Sequence, residues 1–401
     1  MSQAPFIPFA LPDIGDAEIE AVVQTMRSGW LTTGPNAKEF ELEFARYLGD
    51  ESLQAVAVNS ATAGLHLALE AIGVGPGDEV ITTTHTFTAS AEVARYLGAE
   101  PVLVDIDPFT LCISPQAIER AITPRTKAIV PVHYAGLSCD MTAILSIAQK
   151  HGLKVIEDAA HSLPATWHGE KIGTLASDAT VYSFYATKTL ATGEGGMVVT
   201  RDPAIAKRCR VMRLHGIDRD AFDRFTSKKP AWFYEIVAPG YKYNMPDLSA
   251  ALGRVQLGRI HQMRDRRSAI AEQLDAALAG APVILPPRPG AAAPGNLSAT
   301  PHAPDDLHAW HLYVLRLTTD CAVDRDAFIA RMAEQGIGCS VHYVPLHLQP
   351  YWRDRYHLAP EMFPHSQHAY ENMVSLPIYS SMTDENVQRV CATALDILAQ
   401  Q

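Results

Sequence analysis

The feature that most limits how this chain can fold is a rhythm. Between Gln54 and Thr200, short apolar runs alternate with longer amphipathic stretches. Gln54–Asn59, Glu79–Thr82, Pro101–Ile106, Lys127–Val132, Leu153–Glu157 and Thr180–Phe184 read as buried strands. Between several of them, Ala61–Ile72, Ser114–Ala121 and Met141–His151 carry the apolar spacing of helices. Strands apolar on both faces need cover on both faces, and crossover helices supply it. The expectation is an α/β fold, a mostly parallel sheet flanked by helices, whose ligands meet the carboxyl ends of the strands.

Beyond this region, Met245–Leu278 is long and periodic and reads as one helix leading out of the first unit. Ala281–Asp306 is crowded with Pro, Ala and Gly and reads as an extended loop. His311–Leu317 reads as a strand and Arg325–Gln335 as a helix, the start of a smaller C-terminal α+β domain. The expected division is a large domain with an N-terminal arm over residues 1–265 and a small domain over 266–401. With 47% hydrophobic residues, the chain can build a core for each.

No apolar run is long enough to span a bilayer, and no charged-then-apolar leader opens the chain, so no membrane partner and a cytoplasmic location are expected. A net charge of −11 argues against a broad nucleic-acid surface. The six cysteines are scattered without a Cys-x-x-Cys pair, which speaks for reduced thiols rather than zinc or disulfides. His161 and His168 stand seven apart, and the other histidine spacings match no ligand pattern, so no metal is expected.

Three local patterns carry chemistry. Lys188 follows an apolar run, among small hydroxyl residues and glycines, with no other charge until Glu194. A partly desolvated lysine has a lowered pKa, and its neutral amine can form a Schiff base; the alternative is a lysine reaching out of a loop to water. Asp158 ends the run Leu153–Glu157, where a carboxylate is costly unless paired; it could serve a ligand or cap a helix. In Val58–Gly64 a strand turns into a helix, a natural phosphate site that ordinary capping explains as well. Phe87, after another strand, could stack on a planar ring or belong to the core.

Seven segments in order resemble the DegT/StrS-type sugar aminotransferases, fold-type I enzymes that use pyridoxal 5′-phosphate (PLP) on nucleotide-linked keto sugars. They are SGWLTTGP (28–35), NSATAGLHLAL (59–69), TKAIVPVHYAG (126–136), EDAAHS (157–162), SFYATKTLATGEGGM (183–197), GYKYNMPDLSAALG (240–253) and VHYVPLH (341–347). The resemblance implies that Lys188 bonds the cofactor and moves a proton, that Asp158 holds the pyridine nitrogen, and that His161 lies near the ring hydroxyl. It implies Phe87 on one ring face, and Ala61, Thr62 and Ser183 at the phosphate, joined by Asn244 from the neighbouring subunit of a homodimer. It places Trp30, Leu31, Thr32, Thr33, His342 and Tyr343 around the substrate. The implied partners are a nucleotide-linked keto sugar and an amino donor, L-glutamate.

Within the same fold, sugar 3-dehydratases resemble this group but replace the cofactor lysine with histidine, and Lys188 speaks for amino transfer instead. A non-catalytic regulatory relative would lack the lysine or carry a DNA-binding module; neither sign is present. The GYKYNM run and the Leu214–Gly216 turn resemble the branch making 4-amino sugars, such as UDP-4-amino-4-deoxy-L-arabinose, rather than the 3-amino branch. Ser162-Leu163, where relatives often carry Ala or Gly, and the long Ala281–Asp306 segment depart from the pattern.

Overall fold

The computed structural model describes residues 5–218, 234–292 and 302–399. Seven strands form the large sheet: β1 (Gln54–Val58), β2 (Glu79–Thr83), β3 (Glu100–Val104), β4 (Thr126–Val130), β5 (Lys154–Asp158), β8 (Ala179–Ser183) and β9 (Gly196–Thr200). Their order is β1-β9-β8-β5-β4-β2-β3. Only β9 runs against its neighbours, wedged antiparallel between β1 and β8; the pairs from β8 through to β3 are parallel. Two two-residue strands, β6 (Thr166–Trp167) and β7 (Glu170–Lys171), form a hairpin beside the sheet.

The period of two along each strand feeds two cores. Val56, Val58, Val80, Val130, Ile156, Val181 and Val198 point to one face, under the helix Ala61–Ala71. Ala55, Ala57, Ile81, Ile129, Val155, Tyr182 and Met197 point to the other, against Phe40 and Phe44 of the helix Pro35–Leu48 and Ile144 of Met141–His151. Pro101 is tolerated inside β3 because β3 is an edge strand, with β2 as its single neighbour.

Several expected boundaries move for visible reasons. β3 ends at Val104, and Ile106 instead bridges Ile113 across a tight loop. β5 runs on to Asp158, which pairs with Val181. The single helix expected over Met245–Leu278 is two, Asp247–Gly258 and Ile260–Leu278, broken at Gly258-Arg259. The break lets the first piece pack on the N-terminal helices, where a Cβ at Gly253 would stand 2.7 Å from the Phe40 ring. The second piece passes from one core to the other: Met263 packs under the large sheet, Ile270 and Leu274 in the C-terminal core.

That C-terminal core lies between a three-stranded antiparallel sheet and the helices Ile260–Leu278, Arg325–Glu334 and Asp384–Leu398. Its strands are β10 (Val283–Ile284), β11 (Tyr313–Leu317) and β12 (Met373–Leu376), in that order. β11 begins two residues later than expected, so His311 is not part of a strand. β10 lies within the segment read as a loop, of which residues 293–301 lie outside the described residues. Among the described residues, no helix is long and apolar enough to cross a membrane.

Candidate active site

Parallel strands end on one side of the sheet, and there they leave a cavity of about 530 Å³. The ends of β5 and β8, and the segments following β1, β2, β5 and β8, bring Ala61, Thr62, Phe87, Asp158, His161, Ser183 and Lys188 to its wall. His311, His342 and Tyr343 from the C-terminal part of the chain close it, together with Phe9 and Ala10 from near the N-terminus. Nine of the residues singled out from the sequence therefore meet in one space.

Lys188 sits in a loop that leaves β8 and returns as β9. The loop is pinned by Phe184 N–H to Gly195 O (2.9 Å) and Thr192 N–H to Phe184 O (2.8 Å). Gly195 suits the tight closure, since a Cβ there would stand 2.4 Å from Thr192 Oγ1. Half-buried, the Lys188 amine loses enough hydration to bring its pKa from 10.5 down to about 8, although the Asp158 carboxylate opposes the fall.

Asp158 is buried, and each of its oxygens accepts a hydrogen bond. Oδ2 accepts from Ser90 Oγ (2.7 Å), itself 2.9 Å from Thr86 Oγ1, and Oδ1 accepts from Ala160 N–H (3.1 Å). No helix follows it; the carboxylate closes a turn instead of capping one. His161 Nδ1 accepts from Ala135 N–H (3.3 Å), which leaves the hydrogen on Nε2, 3.0 Å from Tyr343 Oη. Burial, reinforced by the nearby Lys188 charge, holds its pKa well below the ordinary histidine range, so the ring is neutral.

At the end of β1, Ser60 caps the helix Ala61–Ala71 by accepting from Ala63 N–H (3.1 Å), and the first turn opens on the cavity. Gly196 lets β9 approach this helix end: a Cβ there would lie 2.8 Å from Ala61 N. Ser183 Oγ, at the end of β8, accepts from Tyr185 N–H at 3.3 Å. Phe87, 57% exposed, stands at the open side, its ring 5.9 Å from Tyr343.

The remaining residues gather elsewhere. Trp30, Leu31, Thr32, Thr33 and Asn244 are not on the cavity wall. Asn244 Nδ2 donates to Thr33 Oγ1 (2.6 Å), Thr33 Oγ1 donates to Met245 O (2.6 Å), and Trp30 Nε1 donates to Thr33 O (3.1 Å). Asp247 locks the cluster, accepting from the N–H groups of Gly34 (2.7 Å), Asn36 (3.0 Å) and Ala37 (2.9 Å). Asn244 also bridges Val58, behind the end of β1.

Several cavity residues gave no sequence signal. Ser90 is one more small hydroxyl residue in a helix, and His311 lay within an expected strand. Phe9 arrives because Ile7 pairs with Ile337 and so ties this N-terminal segment to the chain before the C-terminal helix Asp384–Leu398. Among the described residues, no three His, Cys, Asp or Glu side chains converge as a metal site would require.

Residues 12–395 match the model of the DegT/DnrJ/EryC1/StrS aminotransferase family. The spore coat polysaccharide biosynthesis protein SpsC of Bacillus subtilis is 46% identical over 396 residues, covering 98% of this chain and 97% of SpsC. The PLP form of Spr1654 from Streptococcus pneumoniae, a protein assigned as a sugar aminotransferase, superposes with a TM-score of 0.86 at 33% identity, over 98% of this chain and 100% of that one. DesV of S. venezuelae gives 0.84 at 32%, over 99% and 100%.

Proposed function

Since the chain belongs to the DegT/DnrJ/EryC1/StrS aminotransferase family and is a PLP-dependent sugar aminotransferase, we propose that it carries an amino group from L-glutamate to C4 of a nucleotide-linked 4-keto sugar. The product, a nucleotide-linked 4-amino sugar, would enter a surface polysaccharide or glycoconjugate, a reading supported by the similarity to SpsC. The observation that carries the chemistry is a low-pKa lysine and a buried carboxylate sharing one cavity at the strand ends.

The residues suit the cofactor. The lowered pKa leaves Lys188 with a useful neutral fraction near pH 7, able to bond an aldehyde carbon. Bound PLP supplies an electron sink for the carbanion formed at the amino-bearing carbon. Asp158 would hold the proton on the pyridine nitrogen, its own position fixed by Ser90 and Ala160. The first turn of the helix Ala61–Ala71 offers N–H donors and the Thr62 hydroxyl to a phosphate, with Ser183 close by. Neutral His161, donating to Tyr343 Oη, leaves that hydroxyl's own hydrogen for a cofactor or substrate oxygen. Phe87 would cover one ring face and Lys188 Nζ would move the proton between carbon atoms. His342, with Nδ1 2.9 Å from Ser375 Oγ, would meet the sugar beside Tyr343.

Asn244 and the Trp30–Thr33 loop stand apart from their own cavity. We assign them to the cavity of a second copy, which makes the working unit a homodimer with two composite sites. The preference for C4 draws on the GYKYNM run and the turn at His215, which form one unit: His215 N–H donates to Tyr241 O at 2.8 Å.

The test is direct. Holoenzyme is incubated with L-glutamate and UDP-, GDP- and dTDP-linked 4-keto and 3-keto sugars, and products are identified by mass and by NMR of the aminated carbon. Amination of 4-keto sugars alone is expected; turnover confined to 3-keto sugars would overturn the C4 assignment.

A further inference from the structure

His311 belongs to none of the segments that identified the site, yet its Nε2 lies within hydrogen-bond distance of the Lys188 amine, 3.4 Å from Nζ. It is held there from both domains. Leu312 N–H donates to Ala135 O (3.1 Å) on the large-domain side. Arg267, buried in the helix Ile260–Leu278, donates through Nη1 to the carbonyls of Trp310 (3.1 Å), His311 (3.4 Å) and Ile378 (2.8 Å). The ring has little freedom: His161 packs 4.3 Å from it, centroid to centroid.

We propose that His311 is a positioning residue for Lys188: its neutral imidazole accepts one N–H of the Lys188 side chain through Nε2 and keeps Nζ aimed into the cavity whenever that amine is free. The idea rests on the reading of Lys188 as the cofactor lysine. Lysine carries more rotamer freedom than almost any side chain, and a free amine that must meet one carbon atom gains from being held. An imidazolium could not do this, because both its nitrogens would be donors. Burial, then the Lys188 charge, then His161, keep the His311 ring neutral. With Nε2 accepting, the one ring hydrogen lies on Nδ1, which is buried without a hydrogen-bond partner. The groups facing Lys188 are Asp158 from β5, His161 from the turn after it, and His311 and His342 from the C-terminal domain, with Glu194 on the same wall. The Asp158 charge favours the ammonium, while a neutral acceptor steadies it without adding charge.

The experiment needs no turnover. In cofactor-free protein, acylation of Lys188 by a small anhydride is followed against pH by mass spectrometry, and wild type should show a midpoint near 8. His311→Phe keeps a ring and removes the acceptor; the ammonium loses a partner, so the midpoint should fall by about one pH unit. His311→Gln, whose amide oxygen can reach the place of Nε2, should stay close to wild type, whereas the shorter His311→Asn should behave like Phe. In the holoenzyme, kcat should fall about tenfold or more in Phe and Asn and recover in Gln, with the sugar KM within about twofold. Should Phe fail to fold, the Gln and Asn pair decides the matter. An unchanged midpoint in Phe and Asn, or equal loss in all three variants, would make His311 a packing residue only. Borohydride fixation and peptide mapping identify the cofactor lysine separately; a label elsewhere refutes the role of Lys188 but leaves the His311 contact readable.

Discussion

Two groups of candidate residues in this molecule are held in different ways. Around Lys188, residues far apart in sequence meet because parallel strands end together and His311, His342 and Tyr343 from the C-terminal part of the chain close over them. Around Asn244, the Trp30–Thr33 loop is tied to the start of the helix Asp247–Gly258 by the Asp247 carboxylate and the Thr33 hydroxyl. The first group faces inward on a cavity. The second lies off that cavity's wall, with Leu31 48% exposed. The contrast teaches that a list of site residues is not yet a site: one group lines a single cavity, and the other lies off that cavity's wall.

The largest expected effect tests the first group. Lys188→Ala should keep PLP through the phosphate and Asp158 contacts yet lose about a thousandfold or more in transamination, with no borohydride-fixed label. Near-normal turnover would remove Lys188 from the mechanism. Asp158→Asn follows, at roughly a hundredfold or more in kcat by single-turnover kinetics, because the pyridine nitrogen loses its counter-charge. A rate within a few-fold of wild type would place Asp158 elsewhere.

The two groups can then be set against each other. If Asn244 serves a partner's cavity, Asn244→Ala is nearly inactive, and subunit exchange with Lys188→Ala yields heterodimers with one intact site. These should recover about half the wild-type rate. No recovery after complete exchange, or full activity in a monomer, would return Asn244 to its own chain. The smallest effect is structural. Asp247→Ala removes a carboxylate that accepts from three backbone N–H groups at the start of the helix Pro35–Leu48. It should cost about 1–2 kcal/mol by denaturant titration while leaving the absorbance of bound PLP unchanged. A drop in activity matching that of Asn244→Ala would show the second group acting as one unit.

By itself, the sequence determined what depends on neighbours along the chain. Apolar runs at strand length, separated by helix-length stretches, required a covered parallel sheet, and short-range signals placed Lys188, Asp158 and the Ser60–Thr62 turn at strand ends. Families share such stretches as continuous strings, which is why the resemblance was legible. What only the tertiary structure decided depends on distance in space. β9 entered the sheet against the grain because the tight Lys188 loop turns the chain back on itself. The helix expected as one piece broke at Gly258-Arg259 because its halves serve different cores. Ser90 reached Asp158, and His311 reached Lys188, across 68 and 123 residues of chain. A hydroxyl or an imidazole has the same appearance in the sequence wherever it lies. Its chemistry is set by which groups share its few ångströms of low-dielectric space, and folding alone chooses those groups.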